Sequence, residues 1–432
     1  MNPLSTTPAG RAAPAQEPSA VASSGPYGHL VRLAGVAFLP LGFLARVPLA
    51  MLTVGALTLA TAVTGSYAAG GLAAGAVGIG SAVGAPVMGH LADRLGQRIV
   101  LLVAAALHVL AVAGLLVAAG APADGSVALL VTASAAVGAT CPQVSPLARV
   151  RWRGLTRGHR RELDAALSYE STADELTFVL GPALVGLLAS LVAPWLPLVL
   201  VVVLTLATVP AFAVHPTHRA APRTGRGART TTPPTTVREK ALVLVPVLGM
   251  VAMGTFFGAT QNALNAFAGG LGIASAAGLL YAVLGVSSAV AALSVAWWPQ
   301  RFPPAARWVA CAAAMAGLSP LFLLADGVPA MLAVLLLVGF PVGPTMVTVY
   351  TVGGDVARPE RLGTVMTLLA SGVVLGSALG AALAGALAET AGSAGAFAVA
   401  AGAAAAMLLI SAGAFLLRPR TGDDGLGGSD ER

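Results

Sequence analysis

Three carboxylates and one arginine stand in stretches that are otherwise apolar. Glu170, Asp174 and Glu175 lie in the run YESTADELTF, and Arg46 lies in the run GFLARVPLA. A charge at the centre of a bilayer costs about 2.5–3.5 kcal/mol on insertion scales, so such residues usually face a cavity and take part in transport. The three carboxylates cannot all stay ionised and unpaired in a dry site, and a carboxyl group that binds a proton near neutral pH is what proton coupling requires.

The positions of these residues predict an ion pair inside the membrane. Glu170 and Asp174 share one face of a helix, whereas Glu175 points about 100° further round. At ~1.5 Å per residue, Glu175 lies ~15 Å into its apolar stretch and Arg46 lies ~20 Å into its own, so their depths are comparable. We predict that Arg46 pairs with one carboxylate and that another carries a proton. The alternatives are a static ion pair, and a Glu170 that only marks a helix start.

These charges matter because the whole chain has the composition of a membrane protein. Of its 432 residues, 57% are hydrophobic and 9% are charged, whereas a soluble chain of this length needs a charged exterior. Helix is the predicted form of each apolar stretch, because lipid offers no partners to backbone groups. With about 20 residues per crossing, twelve spans are predicted, at roughly 33–57, 67–92, 98–120, 126–148, 165–190, 195–214, 241–266, 272–297, 306–325, 328–350, 363–388 and 394–417.

The basic residues fix the predicted orientation of these spans. Of the 24 Lys and Arg, all but Arg46 fall in loops or tails on one side of the predicted arrangement. The opposite loops hold only Asp124, Asp326 and Glu389. The positive-inside rule then places both termini in the cytoplasm. The spans themselves are expected in the inner or plasma membrane of the cell. The net charge of +7 therefore indicates topology, and we expect no nucleic-acid partner.

The polar segments divide the chain into two halves. We predict disordered cytoplasmic segments at 1–29, 216–240 and 419–432, which are rich in Pro, Thr, Arg, Gly or Asp. They leave six spans in residues 30–215 and six in residues 241–418. Parts of the halves are alike, since GIGSAV (78–83) recurs as GVSSAV (285–290). Parallel repeats of six helices are typical of secondary transporters whose substrate site lies between the halves.

The run GHLADRLGQR, between the second and third spans, resembles motif A of the major facilitator superfamily, G-x-x-x-D-R-x-G-R-[RK]. Gly89, Asp93, Arg94, Gly96 and Arg98 match it, and Gln97 replaces a basic residue. The resemblance extends over residues 30–418 and implies the superfamily fold, an all-α membrane protein of twelve helices in two six-helix bundles. It also implies that Asp93 and Arg94 are gating charges that brace the cytoplasmic ends of the bundles in the outward-open state. The alternative is that the arginines only set topology.

Gly181, Pro182 and Gly186 in the fifth span resemble the antiporter motif C, G-x-x-x-G-P-x-x-G-G. Thr177 and Val185 stand where that motif has glycine. In the family this motif accompanies proton-coupled export, and in the family fold the first and fifth spans both line the cavity. Ordinary close packing of small residues is the equal alternative.

Several further residues are candidates for smaller roles. We expect His108 to be a packed or interfacial histidine, and the prolines of spans four and ten to kink them. Cys141 and Cys311 lie in apolar segments, which makes a disulfide framework unexpected. Polar side chains in other spans could hydrogen-bond a substrate or could only join helices: Gln143, Gln261, Asn262, Asn265 and Tyr281.

Taken together, the sequence predicts a monomeric permease that works by alternating access and exports a small amphipathic molecule in exchange for protons. The sequence has no P-loop and its six His are scattered, so we expect no enzyme, ATP drive, metal site or cofactor. An uptake symporter for a sugar or organic acid, in which Arg46 binds a carboxylate, is one alternative. A scaffold or sensor that keeps the fold without transporting is the other. The expected partners are the substrate, protons and the lipid bilayer.

Overall fold

The computed structural model describes residues 25–120, 126–222, 236–273 and 276–416, and within these ranges the chain is helical without strands. The predicted all-α fold is confirmed. The α-helices of the described ranges are α1 (Pro26–Ala34), α2 (Phe38–Thr64), α3 (Tyr67–Leu95), α4 (Gln97–Ala119), α5 (Ser126–Thr140), α6 (Val144–Thr156), α7 (Arg160–Leu191), α8 (Leu196–Val214), α9 (Val237–Gly270), α10 (Ala277–Ser294), α11 (Pro304–Leu318), α12 (Val328–Val356) and α13 (Leu362–Leu416).

Among the described residues, eleven helical segments are long and apolar enough to cross a bilayer, and the last one crosses twice. That segment, Pro359–Leu416, has 58 residues, or ~87 Å of helix, about three times the thickness of a hydrocarbon core. Gly392 has φ 63°, and a Cβ on Gly395 would lie 2.7 Å from the carbonyl oxygen of Leu387. Residues eight apart in a straight helix lie ~12 Å apart. The segment is therefore a pair of helices folded at Gly392, which gives the twelve predicted crossings.

The first crossing begins later than predicted. Residues 33–34 end the separate helix α1, after which Gly35 adopts φ 87° and the chain turns into α2. The described ends of the predicted disordered segments are also helical. Residues 26–29 lie in α1, residues 216–220 form a 3-10 helix, and Thr236 caps α9 through a reciprocal capping box with Glu239. Residues 237–240 already belong to α9, so the prediction of disorder is wrong for these described ends. Residues 1–24, 223–235 and 419–432 of the predicted segments lie outside the described residues.

The fourth crossing extends beyond its predicted end at residue 148. α5 stops at Thr140, the proline at position 142 lies in the break, and α6 carries the crossing on to Thr156. Arg149 and Arg151 on α6 are both fully buried. The prediction that Arg46 is the only basic residue within a span is therefore wrong. The hydropathy falls at these arginines, yet the helix continues because each guanidinium has buried partners.

The two halves each have their own apolar core and meet along a shared interface. One core consists mainly of buried residues of α9 to α13, such as Phe256 and Trp308, and two others consist mainly of buried residues of α1 to α8. At the interface α3 packs against α13, and α7 packs against α10 and α12. A small cluster that includes Leu167 of α7 and Val347 of α12 bridges the halves.

The loops predicted to lie on one side do meet at one end of the molecule. The end of α6 contacts both the segment after α8 and the end of α12, since a guanidinium nitrogen of Arg151 lies 3.1 Å from Oγ1 of Thr217 and one of Arg153 lies 3.1 Å from Oδ1 of Asp355. Asp93, near the end of α3, accepts a hydrogen bond from the first turn of α13. We call this end, where the loops after α3, α6, α8, α10 and α12 converge, the arginine-rich end.

Candidate functional site

A buried cluster of two arginines and two carboxylates lies where α2, α6 and α7 meet. Nη2 of Arg46 lies 2.6 Å from Oε2 of Glu170, and Nη1 of Arg46 lies 2.9 Å from Oδ1 of Asp174. Nη2 of Arg149 lies 2.8 Å from the other oxygen of Asp174. All four residues are at most 9% exposed. The structure thus brings Arg46 to two of the three carboxylates singled out in the sequence, and the cluster is balanced in formal charge.

Every carboxylate oxygen of this cluster has a hydrogen-bond partner. The indole Nε1 of Trp152 donates to Oε1 of Glu170 at 2.8 Å, and Oγ of Ser145 donates to Oδ2 of Asp174 at 2.8 Å. Arg46 also donates to the backbone carbonyl of Glu170 at 3.1 Å. Complete pairing of this kind is what offsets the large desolvation penalty of buried charges.

Arg149 connects the cluster to the other half of the molecule. Its guanidinium carbon lies 3.8 Å from the centroid of the Tyr350 ring on α12, within the range of a cation–π contact. Arg149, Ser145, Trp152 and Tyr350 were not candidates in the sequence. One signal was available for two of them, since Ser145 and Arg149 are four apart after a proline and so share one face of a helix.

Glu175 lies apart from the cluster, at the interface of the two halves. The Oγ of Ser288 on α10 donates to its Oε1 at 2.6 Å. Its Oε2 is buried without a hydrogen-bond partner in the described structure, and no ion pair there includes Glu175. One turn earlier on α7, Thr172 donates to the carbonyl of Ala289 at 3.1 Å. Glu175 is therefore a carboxyl group between the halves that pairs with no cation of the described ranges.

The weaker substrate candidates are not hydrogen-bonded to the cluster in the described part of the chain. Nε2 of Gln143 donates to the carbonyl of Cys141 in the break between α5 and α6, at 3.0 Å. On α9, Gln261 and Asn265 are exposed, and Asn262 donates to the carbonyl of Gly258 one turn back at 3.3 Å. Tyr281 is half-buried on α10.

The motif A aspartate reaches across to the other half. Oδ1 of Asp93 accepts from the backbone N–H of Gly363 at 2.8 Å. Oδ2 accepts from the N–H and the hydroxyl of Thr364, at 2.8 and 2.7 Å. A carboxylate at this position satisfies free N–H groups of α13 and complements the helix dipole. Asp93 therefore acts as the N-terminal cap of a helix in the opposite half.

The motif A glycines permit this contact, whereas the arginines do not take part in it. A Cβ on Gly89 would overlap the hydroxyl of Thr367 and the carbonyl of Gly363, so only glycine allows α3 this close to α13. Gly96 forms the turn between α3 and α4 with φ 89°. Arg94 and Arg98 are exposed and have no ion pair among the described residues.

Further ion pairs join the halves at the arginine-rich end. Asp355 on α12 pairs with Arg153 at 3.1 Å and with Arg160 at 3.0 Å. Asp164 on α7 pairs with Arg307 on α11 at 2.9 Å, and both residues are buried. Together with the Asp93 cap, these contacts hold the arginine-rich end closed.

The residues of the motif C resemblance differ in their surroundings. A Cβ on Gly181 would lie 2.7 Å from the backbone carbonyl carbon and the Cβ of Ala50, so glycine permits the close approach of α7 and α2. Gly186 has open space where a Cβ would be. Pro182 lies within α7, which continues past it, and Thr177 donates to the carbonyl of Asp174 at 2.8 Å.

The histidine and cysteine candidates lie in apolar surroundings. His108 is fully buried, with Nδ1 3.4 Å from the hydroxyl of Thr140 on α5. Cys141 and Cys311 are buried free thiols in different halves. Within the described ranges, no group of three His, Cys, Asp or Glu is placed to hold a metal ion.

Comparison with known proteins identifies the family of this chain and solved structures with a similar fold. The family model for the Major Facilitator Superfamily matches residues 38–369 and 271–431. A search of curated proteins finds no match. One similar solved structure is that of the human organic anion transporter MFSD10 (TETRAN). It has 20% identity and a TM-score of 0.63, and the match covers 88% of this chain and 99% of that chain.

Two other solved structures have the same fold. A bacterial homologue of the iron transporter ferroportin, in an outward-facing state, has 14% identity and a TM-score of 0.64, with coverage of 87% of this chain and 98% of its own. A single-substitution variant of the Escherichia coli fucose:proton symporter FucP has 14% identity and a TM-score of 0.59, with the same two coverages. At these identities the likeness establishes the fold alone.

Proposed function

Because the chain belongs to the Major Facilitator Superfamily, whose members are transporters and not enzymes, we propose that it exports a small amphipathic molecule in exchange for protons. It does so by alternating access, as a monomer in the plasma membrane, with the arginine-rich end and both termini in the cytoplasm. The observation that carries this proposal is Glu175, a half-buried residue between the halves whose Oε2 is buried without a hydrogen-bond partner and which has no ion pair among the described residues.

The proton site is Glu175 rather than Glu170 or Asp174. Glu170 and Asp174 belong to a cluster in which two guanidinium groups balance two carboxylates, and every carboxylate oxygen accepts a hydrogen bond. Protonation there would leave a buried guanidinium uncompensated, which is strongly unfavourable. Glu175 has no such constraint, since its neutral form keeps Ser288 as a partner and removes an unpaired charge from a partly buried site.

Proton binding at Glu175 is coupled to the movement of the two halves. The carboxyl group accepts from Ser288 across the interface between α7 and α10, so any separation of the halves there changes its solvation. A group that is dry in one state and wet in another binds its proton with different affinity in each, and the proton therefore biases the equilibrium between them. A proton taken up from outside is released towards the cytoplasm when the arginine-rich end opens.

The Asp93 cap is the gate that must break in that transition. Its carboxylate binds Gly363 and Thr364 at the start of α13, and opening of the arginine-rich end separates α3 from α13. The assignment of export, as opposed to uptake, rests on the motif C resemblance. Gly181 of that motif lets α7 pack against α2, and this packing positions the Arg46 cluster.

The test uses inverted membrane vesicles with an acidified interior and a fluorescent reporter of the pH gradient. Cationic, neutral and anionic amphipathic compounds are added in turn to vesicles with wild-type protein, Glu175→Gln or Glu360→Gln. Glu360 is an exposed carboxylate in the loop after α12 and serves as the matched control. We expect one compound class to collapse the gradient in wild type and Glu360→Gln but not in Glu175→Gln.

Binding of the same compound to purified protein separates coupling from substrate recognition. Glutamine keeps the size of the side chain and an acceptor for Ser288, so Glu175→Gln should bind the compound within about threefold of wild type. A full gradient response in Glu175→Gln would reject Glu175 as the proton site. Accumulation of a labelled compound by intact cells, driven by the inward proton gradient, would reject export in favour of uptake.

A further inference from the structure

A groove of about 810 Å³ lies at the arginine-rich end of the N-terminal half. It runs between the turn that joins α3 to α4 and the 3-10 helix that follows α8, Pro216–Ala220. None of its lining residues belongs to the buried cluster or contacts Glu175. The lining consists of Leu95, Arg98, Ile99, Leu102, His218 and Arg219.

The groove is strongly positive. Arg98 and Arg219 are exposed, neither forms an ion pair among the described residues, and no carboxylate lines the groove. Arg98 also lies in the first turn of α4, a 23-residue helix whose N-cap is Gly96 and offers no side-chain acceptor. The free N–H groups and the helix dipole add to the positive potential of the two guanidinium groups.

His218 supplies a hydrogen-bond acceptor beside these cations. The residue is only 8% exposed, and its Nδ1 lies 2.8 Å from the carbonyl of His215. Because a carbonyl can only accept, Nδ1 is the donor, and Nε2 of the neutral ring is an acceptor. This nitrogen has no hydrogen-bond partner in the described structure, so a ligand hydroxyl can donate to it.

The remaining wall of the groove is aliphatic and exposed. Leu95 and Ile99 are 47% and 56% exposed, at the level where α3 ends and α4 begins. In a helix bundle that crosses the membrane, such side chains contact acyl chains, and arginines at the helix ends contact headgroups. An occupant of this groove therefore meets cations, one acceptor nitrogen and hydrocarbon.

We propose that this groove is a binding site for an anionic phospholipid with a hydroxyl-bearing headgroup. Its phosphate lies between Arg98 and Arg219, a headgroup hydroxyl donates to Nε2 of His218, and its acyl chains lie along Leu95 and Ile99. A soluble phosphate would satisfy only the cations and would leave the aliphatic wall without a partner. The site does not depend on the direction or the proton coupling of transport.

Native mass spectrometry of the purified full-length chain in detergent tests the proposal. Dioleoyl phosphatidylglycerol is the probe, and dioleoyl phosphatidylcholine, with the same chains and no net charge, is the comparison lipid. We expect phosphatidylglycerol to bind at least about tenfold more tightly. Arg98→Gln and Arg219→Gln should each weaken it about fivefold, and the double variant ~25-fold, because each arginine near an anionic lipid contributes by roughly that factor.

Arg361→Gln is the matched control, since Arg361 is an exposed arginine at the same end but outside the groove. It should bind phosphatidylglycerol as wild type does, and all variants should elute as one peak in size-exclusion chromatography. Equal binding of the two lipids, or an equal loss in Arg361→Gln, would overturn the proposal. Competition by glycerol phosphate at the same concentration as the lipid would also overturn it, because the site would then recognise phosphate alone.

Discussion

Replacing Arg46 with methionine tests whether charge balance holds the buried cluster together. Arg46 forms ion pairs of 2.6 Å with Glu170 and 2.9 Å with Asp174, and it is only 3% exposed. Methionine fills much of the same volume and removes the charge. The cluster would then hold one guanidinium, that of Arg149, against two carboxylates.

The expected loss of stability follows from the geometry. Two unit charges 4 Å apart attract each other by about 4 kcal/mol at an effective dielectric constant near 20. Removal of one partner from a buried ion pair costs about 3–5 kcal/mol, because the other charge stays buried and uncompensated. After the substitution Glu170 keeps only the Trp152 indole as a side-chain donor. We expect the free energy of unfolding to fall by about 3–5 kcal/mol.

A second substitution identifies which carboxylate is left uncompensated. In Arg46→Met/Glu170→Gln the cluster again has equal charges, and exchange of a whole buried pair for neutral groups is often close to neutral in stability. This double variant should recover to within about 1 kcal/mol of wild type. Arg46→Met/Glu175→Gln should recover nothing, because Glu175 is bonded to Ser288 and not to Arg46.

The assay is reversible unfolding in mixed micelles, with sodium dodecyl sulfate as the denaturant and tryptophan fluorescence as the signal. Arg361→Met, at an exposed site, provides the control and should change the free energy of unfolding by less than about 0.5 kcal/mol. A cost below about 1 kcal/mol for Arg46→Met would refute charge balance as the source of stability. Equal recovery in the two double variants would refute the assignment of Glu170 as the partner.

Two further predictions concern the contact between α3 and α13. Asp93→Asn keeps one acceptor oxygen of the two that bind Gly363 and Thr364. The loss of capping costs about 1 kcal/mol, so the ratio of open to closed arginine-rich ends should rise about fivefold. Distances between spin labels at that end measure this ratio, and an unchanged distance distribution would contradict the gating role. Gly89→Ala should slow transport and lower stability by about 1–3 kcal/mol, since its Cβ overlaps α13. Gly75→Ala on the same helix, where nothing lies within 4 Å, should behave as wild type, and equal effects of the two substitutions would contradict the packing argument.

The twelve crossings and their common basic side could be predicted because the bilayer imposes one length and one charge rule on every span. The Arg46 partnership could be predicted in kind, since a lone buried cation needs an anion at comparable depth. The end of the fourth crossing could not, because hydropathy falls at Arg149 and Arg151 although the helix continues to Thr156. A hydropathy window averages composition and does not detect that a particular guanidinium has buried partners.

Composition along the chain was sufficient to predict the number of crossings, the common end at which the arginines lie, and the costly charges in the first and fifth spans. These depend only on the local composition of each segment and on the properties of lipid. The partners of these charges became visible in the folded structure: Glu170 and Asp174 share Arg46, Arg149 completes the cluster, and Asp93 caps α13. Such pairings depend on how each helix is rotated and shifted against its neighbours, and that is set by the packing of many side chains at once.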